Sequence, residues 1–148
     1  MKYSGAVEQA CCIMALVAAT TSKQEQVTNE QLSAKLDVSP SYLKKITRKL
    51  AEGKLITASY GAGGGFKLAR KPRDIRLYDV VVAIEGVGAL FQPTGLIEQV
   101  FTTRAREATI GLTRIEKTFA ESEKKAVDVL KKLTLEAVVK EIHESVHA

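Results

Sequence analysis

The sequence predicts a mainly α-helical protein with one small β-hairpin, in which a compact N-terminal part is followed by a long helix. Apolar residues recur at helical spacing in several segments, and a five-residue glycine-rich loop at 61–65 separates two short β-type runs. The chain has 148 residues, 45% hydrophobic and 26% charged, so it can bury a core without disulfides or metal. We expect one domain over 1–86, followed over 87–148 by a connector, a long helix and a short last helix.

The first predicted helix contains both cysteines of the chain, Cys11 and Cys12. Apolar residues around them follow the spacing of a buried amphipathic helix. Two adjacent cysteines cannot build the disulfide framework of a secreted protein, and the longest uncharged run here, 9–22, is too short to cross a bilayer. We therefore expect a cytoplasmic protein without a membrane segment. Each thiol is either packed as a small apolar group or open to oxidation, and both alternatives stand.

Two short helices with strong start signals follow. Thr28 can cap the first of them, and Gln31, three residues later, can complete a capping box. After a break at 37–39, Ser39 provides a second N-cap and Pro40 occupies the first helical position. Two capped helices separated by a three-residue turn predict a helix-turn-helix.

The second of these helices has an apolar face and a basic face. Leu43, Ile46 and Leu50 share one side and are expected in the core. The segment 35–76 carries 11 Lys and Arg against three Asp and Glu, which is the footprint expected of a polyanion-binding protein. A solvated basic face is the alternative, but entry into a DNA major groove suits this helix better. We assign Ser41, Tyr42 and Lys45 to base contacts, and Lys44, Arg48 and Lys49 to phosphate contacts.

The glycine-rich loop predicts the turn of a β-hairpin between runs at 55–60 and 66–70. Phe66 stands where a dinucleotide-binding G-x-G-x-x-G motif requires its last glycine, so we do not expect nucleotide chemistry. A hairpin beside a basic helix-turn-helix predicts a wing that lies on the phosphate backbone. A winged helix-turn-helix bound to double-stranded DNA is therefore the expected arrangement. Candidate contacts outside the basic helix are Thr28, Ser39, Tyr60, Gly63, Gly64 and Lys67.

Two further helices follow the hairpin. Apolar residues over 77–84 outline a short helix that ends at Gly86, and Thr134 is a candidate cap for the last helix. Between them, apolar and small residues alternate steps of four and three, the repeat of a coiled-coil seam. These residues are Phe101, Ala105, Ala108, Leu112, Ile115, Phe119, Ser122, Ala126, Val129 and Leu133. Pairing with a second copy into a homodimer is favoured, and packing of the seam on its own domain is the alternative.

Three segments carry a resemblance to a known family. They are S-P-S-Y-L at 39–43, G-A-G-G-G-F-K-L-A-R at 61–70 and L-Y-D-V-V-V-A-I-E-G at 77–86. Together they closely resemble the Rrf2 family of bacterial regulators, which includes the IscR, NsrR and CymR types. The resemblance covers nearly the whole chain. It implies a homodimeric winged helix-turn-helix transcription factor, usually a repressor, that binds a palindromic operator.

The chain departs from the pattern of this family at three places. Tyr60 stands where many members have an arginine that enters the minor groove, and Arg76 stands where a threonine often caps the next helix. Cluster-binding members carry three cysteines in the connector, but 87–112 contains none, and Glu8 only resembles a carboxylate that some members use. We therefore expect no cofactor, and control by a small molecule, thiol oxidation or a partner protein instead of an iron–sulfur cluster.

Other functions are less consistent with the sequence. A winged-helix adaptor that binds protein without sequence-specific DNA binding is the main alternative. His143 and His147 match the H-E-x-x-H pattern, but we expect no metal site because no third ligand follows and a frayed terminus is poorly preorganised. No catalytic arrangement stands out, and we do not expect an enzyme.

Overall fold

The computed structural model describes residues 2–147 and confirms the mainly α-helical fold with one hairpin. The α-helices are α1 (Gly5–Ser22), α2 (Asn29–Leu36), α3 (Pro40–Glu52), α4 (Leu77–Glu85), α5 (Leu96–Val100), α6 (Ala105–Lys132) and α7 (Leu135–His147). The strands are β1 (Ile56–Ser59) and β2 (Gly65–Leu68), and short 3-10 turns lie at Pro72–Asp74 and Thr102–Arg104. Contacts group Lys2–Gly86 with the segment from Leu130 onward as the first unit, and Val87–Val129 as the second. The domain division at 86 stays a prediction.

The core of the first unit is built around α1, which contributes six buried residues. By length and a mean hydropathy of 1.3, α1 alone among the described helices is apolar enough to cross a membrane. The core helix of a water-exposed domain passes the same test, and α1 packs on α4, α7 and β2. The largest fully buried side chains are Ile13, Met14, Val17, Leu32, Leu43, Leu50, Leu55, Ile56 and Ile75.

The helix-turn-helix forms with the caps that the sequence predicts. The hydroxyl of Thr28 accepts from the backbone N–H of Gln31 at 3.1 Å, and the Gln31 side chain accepts from the Thr28 N–H at 2.9 Å. Asp37 ends α2 in the left-handed region, and the Ser39 hydroxyl accepts from the Tyr42 N–H at 3.3 Å. These local hydrogen bonds satisfy the backbone donors at the starts of α2 and α3.

The hairpin is fixed to the helix-turn-helix by the backbone before α2. Phe66 N–H donates to the Val27 carbonyl at 2.8 Å, and the Ser59 hydroxyl donates to the Gln26 side chain at 2.6 Å. At Gly65, φ is +152° and a Cβ would lie 2.6 Å from the Val27 carbonyl oxygen, so this position requires glycine. The observed strands are one or two residues shorter than predicted.

The start of α4 is held by the segment that leads into α7. Leu77 N–H donates to the Leu133 carbonyl at 3.0 Å, and Leu135 N–H donates to the Ile75 carbonyl at 2.9 Å. The predicted α7 cap is confirmed, since the Thr134 hydroxyl accepts from Ala137 N–H at 3.1 Å.

The second unit contains α5 and most of α6. The rings of Phe91 and Phe119 stack with centroids 4.9 Å apart and planes at 8°. The 28-residue α6 is amphipathic, yet none of its described residues is buried. Of the predicted seam, Phe101 precedes α6 and Leu133 follows it, and the other residues lie on the helix.

Candidate nucleic-acid interface

A groove of about 600 Å³ lies between the start of α2, the outer side of α3 and the hairpin. Two basic side chains, Lys44 and Arg48, lie along one wall, and the wing residues 58–61 and 64–66 form the other. The groove also contains Thr28 and Asn29 at the start of α2. The sequence analysis missed Asn29, whose Oδ1 is buried without a hydrogen-bond partner. Its position directly after the Thr28 cap was the available signal.

The exposed and buried faces of α3 follow the predicted helical pattern. Leu43, Ile46 and Leu50 are buried in the core. Thr47 is buried as well, and its hydroxyl donates to the Leu43 carbonyl at 3.2 Å, a role the sequence analysis did not assign. The outer face leaves exposed Ser39, Ser41, Tyr42, Lys44, Lys45 and Arg48.

Arg48 is held by an intrahelical ion pair. Its Nε donates to Glu52 Oε1 at 2.8 Å, and the two side chains are 80% and 62% exposed. An exposed pair of this kind is worth little, since water competes for both charges. A phosphate can therefore replace the Glu52 carboxylate at small cost.

Lys49 differs from the other cations of α3. Its Nζ donates to the carbonyl of Ile84 in α4 at 2.7 Å, and this hydrogen bond is partly buried. The helical wheel placed Lys49 beside the basic face, but its ammonium group is directed toward the end of α4. We therefore leave Lys49 out of the phosphate contacts proposed below.

The wing residues are arranged on two sides of the hairpin. Tyr60 is 95% exposed at the end of β1, and Gly64 lines the groove. Gly63, with φ of +74°, has open space around its Cα. Lys67 pairs with Thr57 across the hairpin, next to the groove-lining Phe66. Because successive strand residues face opposite sides, Lys67 lies on the face away from the groove.

The two cysteines have different surroundings. Cys11 is half-buried in a small apolar pocket of about 40 Å³ between α1, α4 and α7, with Met14 and Val80. Burial, and then the neighbouring Cys12 thiol and the Glu8 carboxylate, raise the pKa of Cys11. Cys12 is exposed, and both thiols are free.

The donor set does not fit an iron–sulfur cluster. Such clusters are held chiefly by several thiolates, whereas the two thiols here are adjacent on α1 and one is half-buried in apolar surroundings. Within residues 2–147 as described, no three His, Cys, Asp or Glu side chains form a group that could hold a metal ion. The side chain of His147, from the H-E-x-x-H pattern, lies outside the described residues.

An exposed basic helix next to a glycine-rich hairpin, within a helix-turn-helix, defines a winged-helix DNA-binding transcriptional regulator. Comparison with known proteins gives its family. The family model "Rrf2: Iron-dependent Transcriptional regulator" matches residues 3–141, so the chain belongs to the Rrf2 family. This family consists of transcriptional regulators, which are not enzymes.

Individual relatives agree with the family assignment. YwgB of Bacillus subtilis, named as a predicted HTH-type transcriptional regulator, is 35% identical over 144 residues, covering 97% of this chain and 88% of YwgB. The fold resembles that of IscR of T. potens, with a TM-score of 0.68, 22% identity and coverage of 98% and 90%. It also resembles CymR of B. subtilis, described as the global cysteine regulator, with a TM-score of 0.61, 21% identity and coverage of 95% and 97%.

Proposed function

We propose that this chain is a homodimeric, sequence-specific transcriptional repressor of the bacterial cytoplasm that binds a palindromic operator. The observation that carries the proposal is the groove between α3 and the wing, which places exposed cations next to backbone that can approach a duplex. In this arrangement α3 enters the major groove, with Ser41, Tyr42 and Lys45 at base edges and Lys44 and Arg48 on phosphates. Around them, Thr28, Ser39, Tyr60, Gly63 and Gly64 contact the backbone, and Lys67 has at most a peripheral role.

The apolar stripe of α6 supports the homodimer. An isolated amphipathic helix is marginal in water, and its stability comes from packing its apolar face. Ile115, Phe119 and Val129 are 40%, 43% and 64% exposed in the single chain, and full burial of such side chains is worth roughly 1.5–3 kcal/mol each. A second copy of α6 offers the matching stripe, and a twofold dimer presents two α3 helices to two half-sites.

Control of this regulator is proposed to come from a small molecule, thiol oxidation or a partner protein. The misfit of the donor set to a cluster supports this division from cluster-binding relatives. The exposed Cys12 is the more accessible of the two thiols to an oxidant.

A selection experiment followed by a salt series tests the function. The wild-type protein is used to select duplexes of about 30 base pairs from a random pool, a length that holds two half-sites one helical turn apart. The enriched sequence is the selected duplex, and a scrambled version of it is the control. An enriched palindrome supports the proposal. No enrichment at near-physiological salt contradicts it and favours a protein-binding adaptor.

Two variants then separate base contacts from phosphate contacts. Lys45→Ala is expected to weaken binding to the selected duplex more than to the scrambled one, because a base contact is lost. Arg48→Ala is expected to weaken both equally and to flatten the slope of log affinity against log salt by about 0.9, the value for one phosphate contact. If both variants lose affinity equally for both duplexes, Lys45 does not contact bases.

A further inference from the structure

The C-terminal end of α4 has an unsatisfied backbone carbonyl that another helix supplies with a donor. The last four carbonyls of a helix have no intrahelical partner, and the helix dipole makes this end favourable for a cation. The last turn of α4 contains no basic residue of its own. Lys49 of α3 fills this role, since its Nζ donates to the Ile84 carbonyl at 2.7 Å.

The next residue of α4 ties in the start of α1. The carboxylate of Glu85 accepts from the Ser4 hydroxyl at 2.6 Å and from the Ser4 N–H at 2.8 Å. These two hydrogen bonds, with a smaller contribution from the charge of Lys49, lower the pKa of Glu85. Ser4 is the residue before α1, so the start of α1 and the end of α4 meet beside the Lys49 side chain of α3.

The backbones of α3 and α4 approach closely at the same place. A Cβ built on Gly53, at the end of α3, would lie 3.0 Å from the Cβ of Ala83. Apolar packing between Leu50 of α3 and its neighbours in the core is strong but has no preferred direction. A hydrogen bond from a charged donor is directional, and it fixes the rotation of α3 about its own axis against α4.

We infer that Lys49 is a positioning residue for DNA recognition, which sets the orientation of α3, and with it the direction of Lys45 and Arg48, by holding the end of α4. This inference rests on the proposed function and adds to it. Lys49 acts through α3 and does not contact phosphate. Its loss reduces the match to the correct sequence and leaves the count of phosphate contacts unchanged.

The test uses the full-length protein with the selected and scrambled duplexes across a salt series. Lys49→Met removes the ammonium group and keeps the aliphatic stem, Lys49→Arg keeps the charge, and Arg48→Met is the matched control one residue away. All affinities are measured well below the melting temperature of each variant, which thermal unfolding provides.

For Lys49→Met we expect a loss of roughly tenfold in affinity for the selected duplex, the scale of one hydrogen bond to a charged group. The scrambled duplex is bound as by wild type, the salt slope is unchanged, and Lys49→Arg recovers most of the affinity. Arg48→Met instead reduces the slope by about 0.9.

Two results for Lys49→Met overturn the inference. A flatter salt slope with equal losses on both duplexes would make Lys49 a phosphate contact. A lower melting temperature with unchanged affinities would make it a residue of the fold alone. If the wild-type protein itself shows no preference for any duplex, the proposed function fails and the positioning role fails with it.

Discussion

Three consecutive glycines in the wing separate two physical reasons for requiring glycine. Gly63 has a positive φ of +74° but open space around it, whereas Gly64 has no positive φ but a Cβ there would lie 2.5 Å from the Ser59 carbonyl oxygen. Gly65 combines both, with φ of +152° and the Val27 carbonyl oxygen 2.6 Å from the added Cβ. Substituting each by alanine therefore measures backbone conformation alone, steric contact alone, and the two together.

The expected costs follow from these geometries. Gly63→Ala pays only for the left-handed conformation, about 1 kcal/mol. Gly64→Ala must displace backbone that cannot rotate away, about 1–3 kcal/mol. Gly65→Ala pays about 1–3 kcal/mol of strain and also weakens the two hydrogen bonds between Val27 and Phe66, each worth about 1 kcal/mol. We expect a total near 3–5 kcal/mol, a large part of the stability of an ordinary domain.

Urea unfolding followed by circular dichroism measures the free energy of unfolding of each variant. The order of destabilisation is expected to be Gly63→Ala, then Gly64→Ala, then Gly65→Ala. If Gly65→Ala costs no more than Gly63→Ala, the wing is not held by the backbone at Val27. The account of how the groove is shaped would then be wrong.

Two further predictions concern assembly and thiol chemistry. Ile115→Glu, in the middle of the α6 stripe, is expected to shift the protein from dimer to monomer in sedimentation velocity, while Thr118→Glu, exposed and off the repeat, leaves the dimer intact; equal behaviour of the two variants would exclude α6 as the dimer contact. Iodoacetamide at mildly alkaline pH is expected to modify Cys12 well before Cys11, because Cys11 is half-buried and its burial raises its pKa. Fragment mass spectrometry distinguishes the adjacent sites, Cys12→Ser serves as control, and faster modification of Cys11 would contradict the described pocket.

The parts of the fold that local chemistry determines were predicted from the sequence. Thr28 with Gln31, and Ser39 with Pro40, are caps whose partners lie within three residues, so the helix-turn-helix could be placed with its correct starts. The glycine-rich loop gave the hairpin for the same reason. The caps of α2 and α3 also determine which residues of α3 face outward.

Contacts between residues distant in sequence could not be predicted. Lys49 and Ile84 are 35 residues apart, and a helical wheel gives the direction of a side chain but not its partner. Lys67 was assigned to the wing contact without knowledge of the hairpin register, and a shift of one residue exchanges the two faces of a strand. Arg76 illustrates a third case: the missing threonine cap is replaced by Asp79, whose carboxylate accepts from the Arg76 N–H at 2.8 Å.

The absence of any buried residue along the described length of α6 has a consequence for the dose response of the dimer we propose. When apolar surface leaves water only by association, the amount of assembled protein depends on mass action. At concentrations where single chains dominate, occupancy of a twofold site rises with the square of the chain concentration. A twofold fall in cellular abundance would then empty the site about fourfold, which makes synthesis and turnover of the chain a control input in their own right.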